Sequence, residues 1–455
     1  MHTTNLAEAI AAAPSAVELL RNAQAAPFTF PVAAEFSNWR SEQHAWRESC
    51  VLFDQSHHMT DLFIEGPDAI RLLSELGVNN FSRYTPGKGK QFVAVNHDGY
   101  LIGDGILFYL AEGSLDLVGH ATAINWVQYN AGHGGYDVRV ERDENSAVRA
   151  GGPPKLFRYE LQGPAAGQIM EKLTGQPLPE VKFFNMTRFC FAGLEVRALR
   201  HGMAGQPGFE MFGPWEHGER VREAILDAGL DFGLVPAGAL AYSTSNLESG
   251  WVPTPLPAIF TGPELEDYRR WLPAAAAGSL GGSYNSQDIT DYYLTPHDLG
   301  YSRHVAFDHD FIGRDALQRH QQDSARTKVT LVWNPDDIAH AIRGLFTHTP
   351  KAKYLQLPKA RYALYQVDAV LSGGELVGSS LDCGYIANES AFVSLATINP
   401  EHSEPGTELT VLWGEQPNSR KPQVEPHEQV EIRATVALAP YVDFARTSYR
   451  AQAPA

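Results

Sequence analysis

Between Arg200 and Pro214 the chain reads RHGMAGQPGFEMFGP: a strand, a glycine-rich loop and a second strand. Gly202, Gly205 and Gly208 let the backbone turn sharply and approach a partner closely. Side chains on a strand alternate between faces. Phe209 and Met211 therefore point one way, and Glu210 points the other with Phe212. A carboxylate held like this can accept two parallel N–H donors, the edge that a guanidine-like or aminopyrimidine ring presents. The same residues also fit an ordinary surface glutamate on a hairpin.

The flanking sequence repeats this style. Residues 155–260 read as a strand (FRYELQG), a helix (AAGQIMEKLTG), strands (RFCFAG, LEVRALR, FEMFGP) and a helix (EHGERVREAILDAGL). This is an α+β pattern of antiparallel strands with helices on one face. Residues 61–150 mix short strands (LFIE, FVAV, GILFYL, LDLVG) with helical stretches at Pro67–Leu76 and Ala121–Ala131. Residues 262–300, rich in Ala, Gly and Ser at their centre, read as an inserted loop near a site. Residues 326–445 are strand-like, which suits a β-rich domain. The tail YRAQAPA is expected to be poorly ordered.

At 455 residues the chain is too long for one core, so two or three lobes are expected. A net charge of −17 argues against nucleic-acid backbones and anionic membranes as partners. It also means that an acidic substrate needs a local positive site. Cys50, Cys190 and Cys383 are far apart with no CxxC, which suggests reduced thiols and a cytoplasmic setting. Leu6, Ile10, Val17 and Leu20 suit an amphipathic helix better than a signal peptide. No apolar run reaches about 18 residues, so no membrane span is expected.

No catalytic triad, P-loop, GxGxxG after a strand, or metal set is visible. His57 and His58 are adjacent, so on a strand they face opposite ways and do not suit one metal. Asp104 lies between glycines in IGDGI, as in an exposed turn.

Arg200–Pro214 and Leu234–Pro257 together resemble the folate-binding core of the glycine-cleavage aminomethyltransferase superfamily. The shared features are the GFE strand and a helix ending in a LEAG-like turn, here Leu247-Glu248-Ser249-Gly250. FSNWR (36–40), FDQSHHM (53–59), IGDGI (102–106), FDHDFIGRDAL (307–317) and GTELTVLWGE (406–415) resemble the tetrahydrofolate-dependent aromatic O-demethylases more closely. The resemblance covers nearly the whole chain. It implies a three-lobed α+β fold: residues 1–60 with 150–260 as a folate-binding α/β lobe, 61–149 as a second, 261–325 as an insertion and connection, and 326–445 as a barrel- or jelly-roll-like β domain.

It also implies roles. Glu210 would grip the aminopyrimidine end of the pterin, and Gln162 would offer its amide to the same ring system. Gln91 and the backbone around Val118 would line the channel. Trp251 would pack on the flat cofactor, although it also reads as a core tryptophan beside VPTPLP. Asp104 would lie near the folate amine. His58 and Gln55 would face the substrate. Tyr242 would carry the chemistry. A methyl aryl ether is inert because its leaving group is a phenolate, whose conjugate acid has a pKa near ~10. A tyrosine hydroxyl can donate to that oxygen as charge develops, or it can simply be a helix residue reaching solvent or a carbonyl.

The resemblance breaks at two positions. The arginine that those demethylases set against a substrate carboxylate falls in the segment matching Leu117–Ala121, which here is LVGHA with His120. A tyrosine of their N-terminal loop matches Phe30. The carboxylate clamp is therefore altered, and the substrate either lacks that group or carries it elsewhere on the ring. Dicamba, vanillate, syringate and 3-O-methylgallate all stay open. Two other functions compete: C1 transfer to folate from a non-aromatic donor, and folate binding without catalysis. In the leading reading tetrahydrofolate is the methyl acceptor, a small methoxyarene is the substrate, and no metal, nucleic acid, membrane or obligatory protein partner is needed.

Overall fold

The computed structural model describes residues 4–322, 326–347, 351–415 and 420–449. The C-terminal tail beyond Tyr449 lies outside them. A mixed sheet, an antiparallel sheet and a barrel organise the chain.

The first sheet has six strands in the order Leu234–Ala237, Cys50–Asp54, Leu156–Gln162, Gly208–Pro214, Leu194–Arg200 and Met186–Phe191. Its pairings are antiparallel except one: Cys50–Asp54 runs parallel to Leu234–Ala237. That departure from the expected antiparallel sheet follows from the crossover that joins these two strands through most of the lobe. Helices Ala166–Thr174 and Gly218–Gly229 cover one face, where Ile169, Met170, Val221 and Ile225 meet Leu161, Phe209 and Met211. Glu210 and Phe212 point to the other face, as strand alternation requires.

The second sheet has five antiparallel strands: Gly89–Val95, Leu101–Ala111, Ser114–Gly119, Thr60–Glu65 and Arg139–Asp143. Helices Ala69–Leu76 and Ala121–His133 bury Leu72, Leu73, Ile124 and Val127 against it. Its open face turns toward the open face of the first sheet. Phe108, Val118, Leu199 and Phe212 fill that seam, with Phe108 and Phe212 ring centroids 5.1 Å apart.

The C-terminal strands Thr327–Trp333, Ala391–Ile398, Glu375–Ile386, Asp368–Ser372, Glu408–Trp413 and Val430–Ala437 close into a barrel. Val329, Leu331, Val370, Trp413 and Val436 lie in its core. Closure removes the sheet edges that an open β layer would expose.

Residues 262–300, expected as an inserted loop near a site, reach the wall of a cavity through His297 and Gly300 but also carry regular structure. Glu266–Trp271 is a helix, and Leu280–Gly281 pairs with Tyr365–Gln366. Tyr268, Leu272, Leu280 and Tyr292 are buried in one core with Leu6 and Leu20 of the N-terminal helices. Those helices are two, Leu6–Ala12 and Ala16–Asn22, because the pyrrolidine of Pro14 interrupts the run and Ser15 caps the second.

Candidate active site

The loop at Gly202–Gly208 brings the first group of side chains together. Gly205 has φ +67°, and a Cβ on Gly208 would lie 2.1 Å from the Leu161 carbonyl, so neither position admits a side chain. The compact loop aims its backbone N–H groups at two buried side chains of the neighbouring strand. Glu160 Oε1 accepts from Met203 N at 2.6 Å, and Gln162 Oε1 accepts from Ala204 N at 2.7 Å. Gln162 Nε2 donates to Glu160 Oε1 at 2.7 Å, and Gln55 Nε2 donates to Glu160 Oε2 at 2.5 Å. Burial and the charge of Glu210 push the Glu160 carboxyl up to about 8, against the pull of these donors.

Gln55 links this network to Tyr242. Its Nε2 lies 3.3 Å from the Tyr242 hydroxyl, which lies 2.9 Å from His58 Nε2. The Phe53, His58 and Phe30 rings pack edge-on around this pair. Burial pushes His58 down to about 4, so its ring is neutral at pH 7. Burial, then the charges of Glu160 and Glu210, push Tyr242 well above the ordinary phenol range. Tyr242 is therefore a protonated phenol beside a neutral imidazole. A neutral imidazole has one acceptor nitrogen, and with Nε2 in that role it takes the phenol's proton in a hydrogen bond.

A cavity of about 1000 Å³ opens beside this cluster. Gln91, Val118, His120 and Trp251 line it, as do Met59 and Met203, the chain neighbours of the His58 and Glu160 network. Asp104 sits in its wall and not in an exposed turn. Oδ2 accepts from Gln91 Nε2 at 2.8 Å, Trp251 Nε1 at 3.0 Å and the Tyr301 hydroxyl at 2.9 Å. Trp251 is thus a wall residue oriented by a carboxylate. Lys90, Arg303, Arg326, Lys328 and Arg446 also line the cavity, against the single carboxylate of Asp104.

Of the residues expected at the site, Phe30, Gln55, His58, Gln162, Glu210 and Tyr242 do not line that cavity. Glu210 Oε1 accepts from Arg158 Nη1 at 3.1 Å. Arg158 also reaches Asp61 at 2.5 Å and Asp116 at 2.6 Å, and lies between the Phe108 and Phe212 rings. Burial and the neighbouring Asp61 push Asp116 well above the usual carboxylate range, while burial raises Glu210 against the pull of Arg158. Among the described residues no cluster of three His, Cys, Asp or Glu side chains could hold a metal ion, and no helix is long and apolar enough to cross a membrane.

Glu160, Arg158 and Tyr301 were not singled out from the sequence. Glu160 lies two residues before Gln162 on the same strand face, a spacing that could have marked it. Arg158 and Tyr301 reach their partners over 52 and 197 residues, which no local pattern records.

Two facing sheets, a C-terminal barrel and a cavity beside the glycine-rich loop together make an aminomethyltransferase-like architecture. The chain belongs to the aminomethyltransferase family: the GCVT N-terminal domain matches residues 15–254. It is 47% identical over 96% of both chains to syringate O-demethylase of Sphingobium sp. (strain NBRC 103272 / SYK-6). It is 29% identical over 93% of both chains to sesamin methylene transferase of Sinomonas sp. (strain No.22). The glycine cleavage system aminomethyltransferase T from Bartonella henselae matches its fold with a TM-score of 0.62, over 92% of this chain and 95% of that one, at 19% identity.

Proposed function

We propose that this protein is a tetrahydrofolate-dependent O-demethylase that removes the methyl group of a methoxylated aromatic acid such as syringate. The observation that carries the reading is the Tyr242 hydroxyl, held by His58 and Gln55 next to the wall residue Met59, in a chain so similar to a syringate O-demethylase. The cavity residues fit a folate. Trp251 and Tyr301 offer flat surfaces, Gln91 and Asp104 offer polar groups, and the basic rim suits the carboxylates of a glutamate tail. Glu210, the partner implied for the pterin, is paired with Arg158 away from this cavity, so the cavity residues and not Glu210 carry the folate fit.

When bound, tetrahydrofolate supplies the amine nitrogen, N5, that accepts the methyl group. The aryl oxygen keeps the bonding electron pair as the methyl carbon departs, and it takes up one proton for the one that the acceptor amine loses, so phenol and methylated folate form with no net change in protons. Tyr242 then turns its O–H from His58 to that oxygen, which has become the stronger acceptor. Gln55 holds the phenol oxygen throughout, and Glu160 holds Gln55. His58 and Phe30 confine the ring so that the methoxy carbon faces the acceptor, and holding two reactants in line is worth roughly 7–11 kcal/mol. The reading needs no metal, nucleic acid, membrane or obligatory protein partner, and the cytoplasm suits its reduced folate.

The test is a panel of methoxybenzoates with and without tetrahydrofolate, read by mass spectrometry. Conversion of methoxy to hydroxyl only when tetrahydrofolate is present is the expected result. No conversion across the panel, or conversion without the folate, overturns the reading.

A further inference from the structure

The segment Pro358–Leu364 brings two cations from the barrel side to the neighbourhood of Tyr242, and they are treated differently. Lys359 Nζ is neutralised: it donates to Asp382 at 2.6 Å, Asn246 Oδ1 at 2.9 Å and the carbonyl of Ser243, the residue after Tyr242, at 2.8 Å. Arg361 is not. Nε donates to the Ala363 carbonyl at 3.2 Å, and Nη2 to the Leu364 carbonyl at 2.6 Å and Thr254 Oγ1 at 2.8 Å. Every one of these acceptors is neutral. Among the described residues no carboxylate lies within ion-pair distance of Arg361, and Nη1 makes no hydrogen bond. The nearest acid, Asp382, is already taken by Lys359 and Asn246.

Enclosed guanidinium groups are normally paired with an anion. Arg361 does not itself line the cavity, but it is surrounded by protein and keeps accessible surface. His58, Tyr242 and His120 share that character. Thr254, the partner of Nη2, follows Trp251 by three residues, so Arg361 sits between the Tyr242 helix and the loop that places Trp251 in the cavity wall. His120 lines that cavity, and its ring makes no hydrogen bond among the described residues. Burial first, and then the charge of Arg361, disfavour the protonation of His120. It also precedes helix Ala121–His133, whose N-terminus has no side-chain cap and carries partial positive charge. An unpaired guanidinium, an unpartnered imidazole and a helix N-terminus thus converge in a chain of net charge −17.

We propose that Arg361 and His120 form the anion-binding end of the substrate chamber and hold the carboxylate of the aromatic acid while its methoxy group lies at Tyr242. The proposal rests on the demethylase reading and adds the specificity determinant to it. The folate's glutamate carboxylates carry the same chemistry, so the test must separate the two sources.

Arg361→Gln, Arg361→Lys and His120→Gln are compared with the wild type on a methoxybenzoic acid and on its neutral methyl ester, with the KM for tetrahydrofolate measured alongside. The kcat/KM ratio of acid to ester should fall about tenfold or more in Arg361→Gln, chiefly through KM for the acid. It should recover in part in Arg361→Lys and fall less in His120→Gln. Equal losses on acid and ester overturn the proposal. So does a raised KM for tetrahydrofolate with the acid-to-ester ratio unchanged, which assigns Arg361 to the folate tail. If the wild type turns over no methoxyarene, the demethylase reading fails separately, and calorimetric titration with a hydroxybenzoate and its methyl ester decides. Binding of the acid weakened about tenfold in Arg361→Gln, or in His120→Gln if the first variant does not fold, supports the anion site. Equal affinity overturns it.

Discussion

Tyr242 owes its character to what surrounds it. Burial and two nearby carboxylates keep its proton on, so it enters the reaction as a donor and not as a base. Tyr242→Phe keeps the ring and its packing on Phe53 but removes the donor. We expect kcat to fall by about 10²–10³, with tetrahydrofolate affinity nearly unchanged in a direct titration. Ring chlorines lower the pKa of the departing phenol, so the variant should lose less on chlorinated substrates. Equal losses across such a series would make Tyr242 an orienting group only. The same burial acts on His58 and His120, each pushed down to about 4 from an ordinary value near ~6.5. Between those values the unfolded chain binds protons that the folded chain does not. Stability contributed by these neutral rings is full above pH ~6.5 and is lost as pH falls toward about 4. Urea midpoints measured across that window should fall less steeply in a His58→Gln/His120→Gln double variant. An unchanged slope would mean that the rings are charged in the native state.

Elements decide which of these residues meet. The segment carrying Arg361 is pinned to the Tyr242 helix by Lys359, and that pair is enclosed. Lys359→Met leaves Asp382 with only Asn246, and breaking a buried pair on one side costs about 3–5 kcal/mol. A thermal melt should show the loss, and Lys359→Met/Asp382→Leu should regain part of it. If the single variant melts like the wild type, the pair is solvated and the segment is not pinned by it. Element order was readable from the chain because it depends on local periodicity. The alternation of Phe209, Glu210, Met211 and Phe212 predicts two faces, and they are the faces found. Three of the residues expected at the cofactor, Gln91, Val118 and Trp251, share one cavity with His120, which was expected at the substrate. Contacts between distant elements were not readable. Nothing near Glu210 announces Arg158, and Gln162 looks available until the loop at Gly202–Gly208 is folded over it. Residues 262–300 do reach the cavity, but how they pack was unreadable for a different reason. Their Ala, Gly and Ser content reads as a loop, while the tyrosines and leucines that bury them are spaced without helical or strand period.

Across the whole molecule, charge is unevenly spread. The chain carries −17, yet the cavity wall gathers five lysines and arginines around one carboxylate. Such a patch draws an anion inward through an otherwise repelling field. Tetrahydrofolate affinity should therefore weaken as salt rises from about 0.05 to 0.5 M, because the Debye length shortens below about 10 Å. Arg303→Gln should flatten that dependence, and a salt-independent affinity would remove the rim from the folate site. The central claim is that the methyl group moves intact from the ether oxygen to the folate. It is tested most directly by a single turnover of a substrate bearing a trideuterated methoxy group, with mass spectrometry of both products. The account requires the phenol and a methyltetrahydrofolate that carries all three deuterons, formed in equal amounts. Deuterated formaldehyde, or a phenol formed while the folate remains unlabelled, would contradict it.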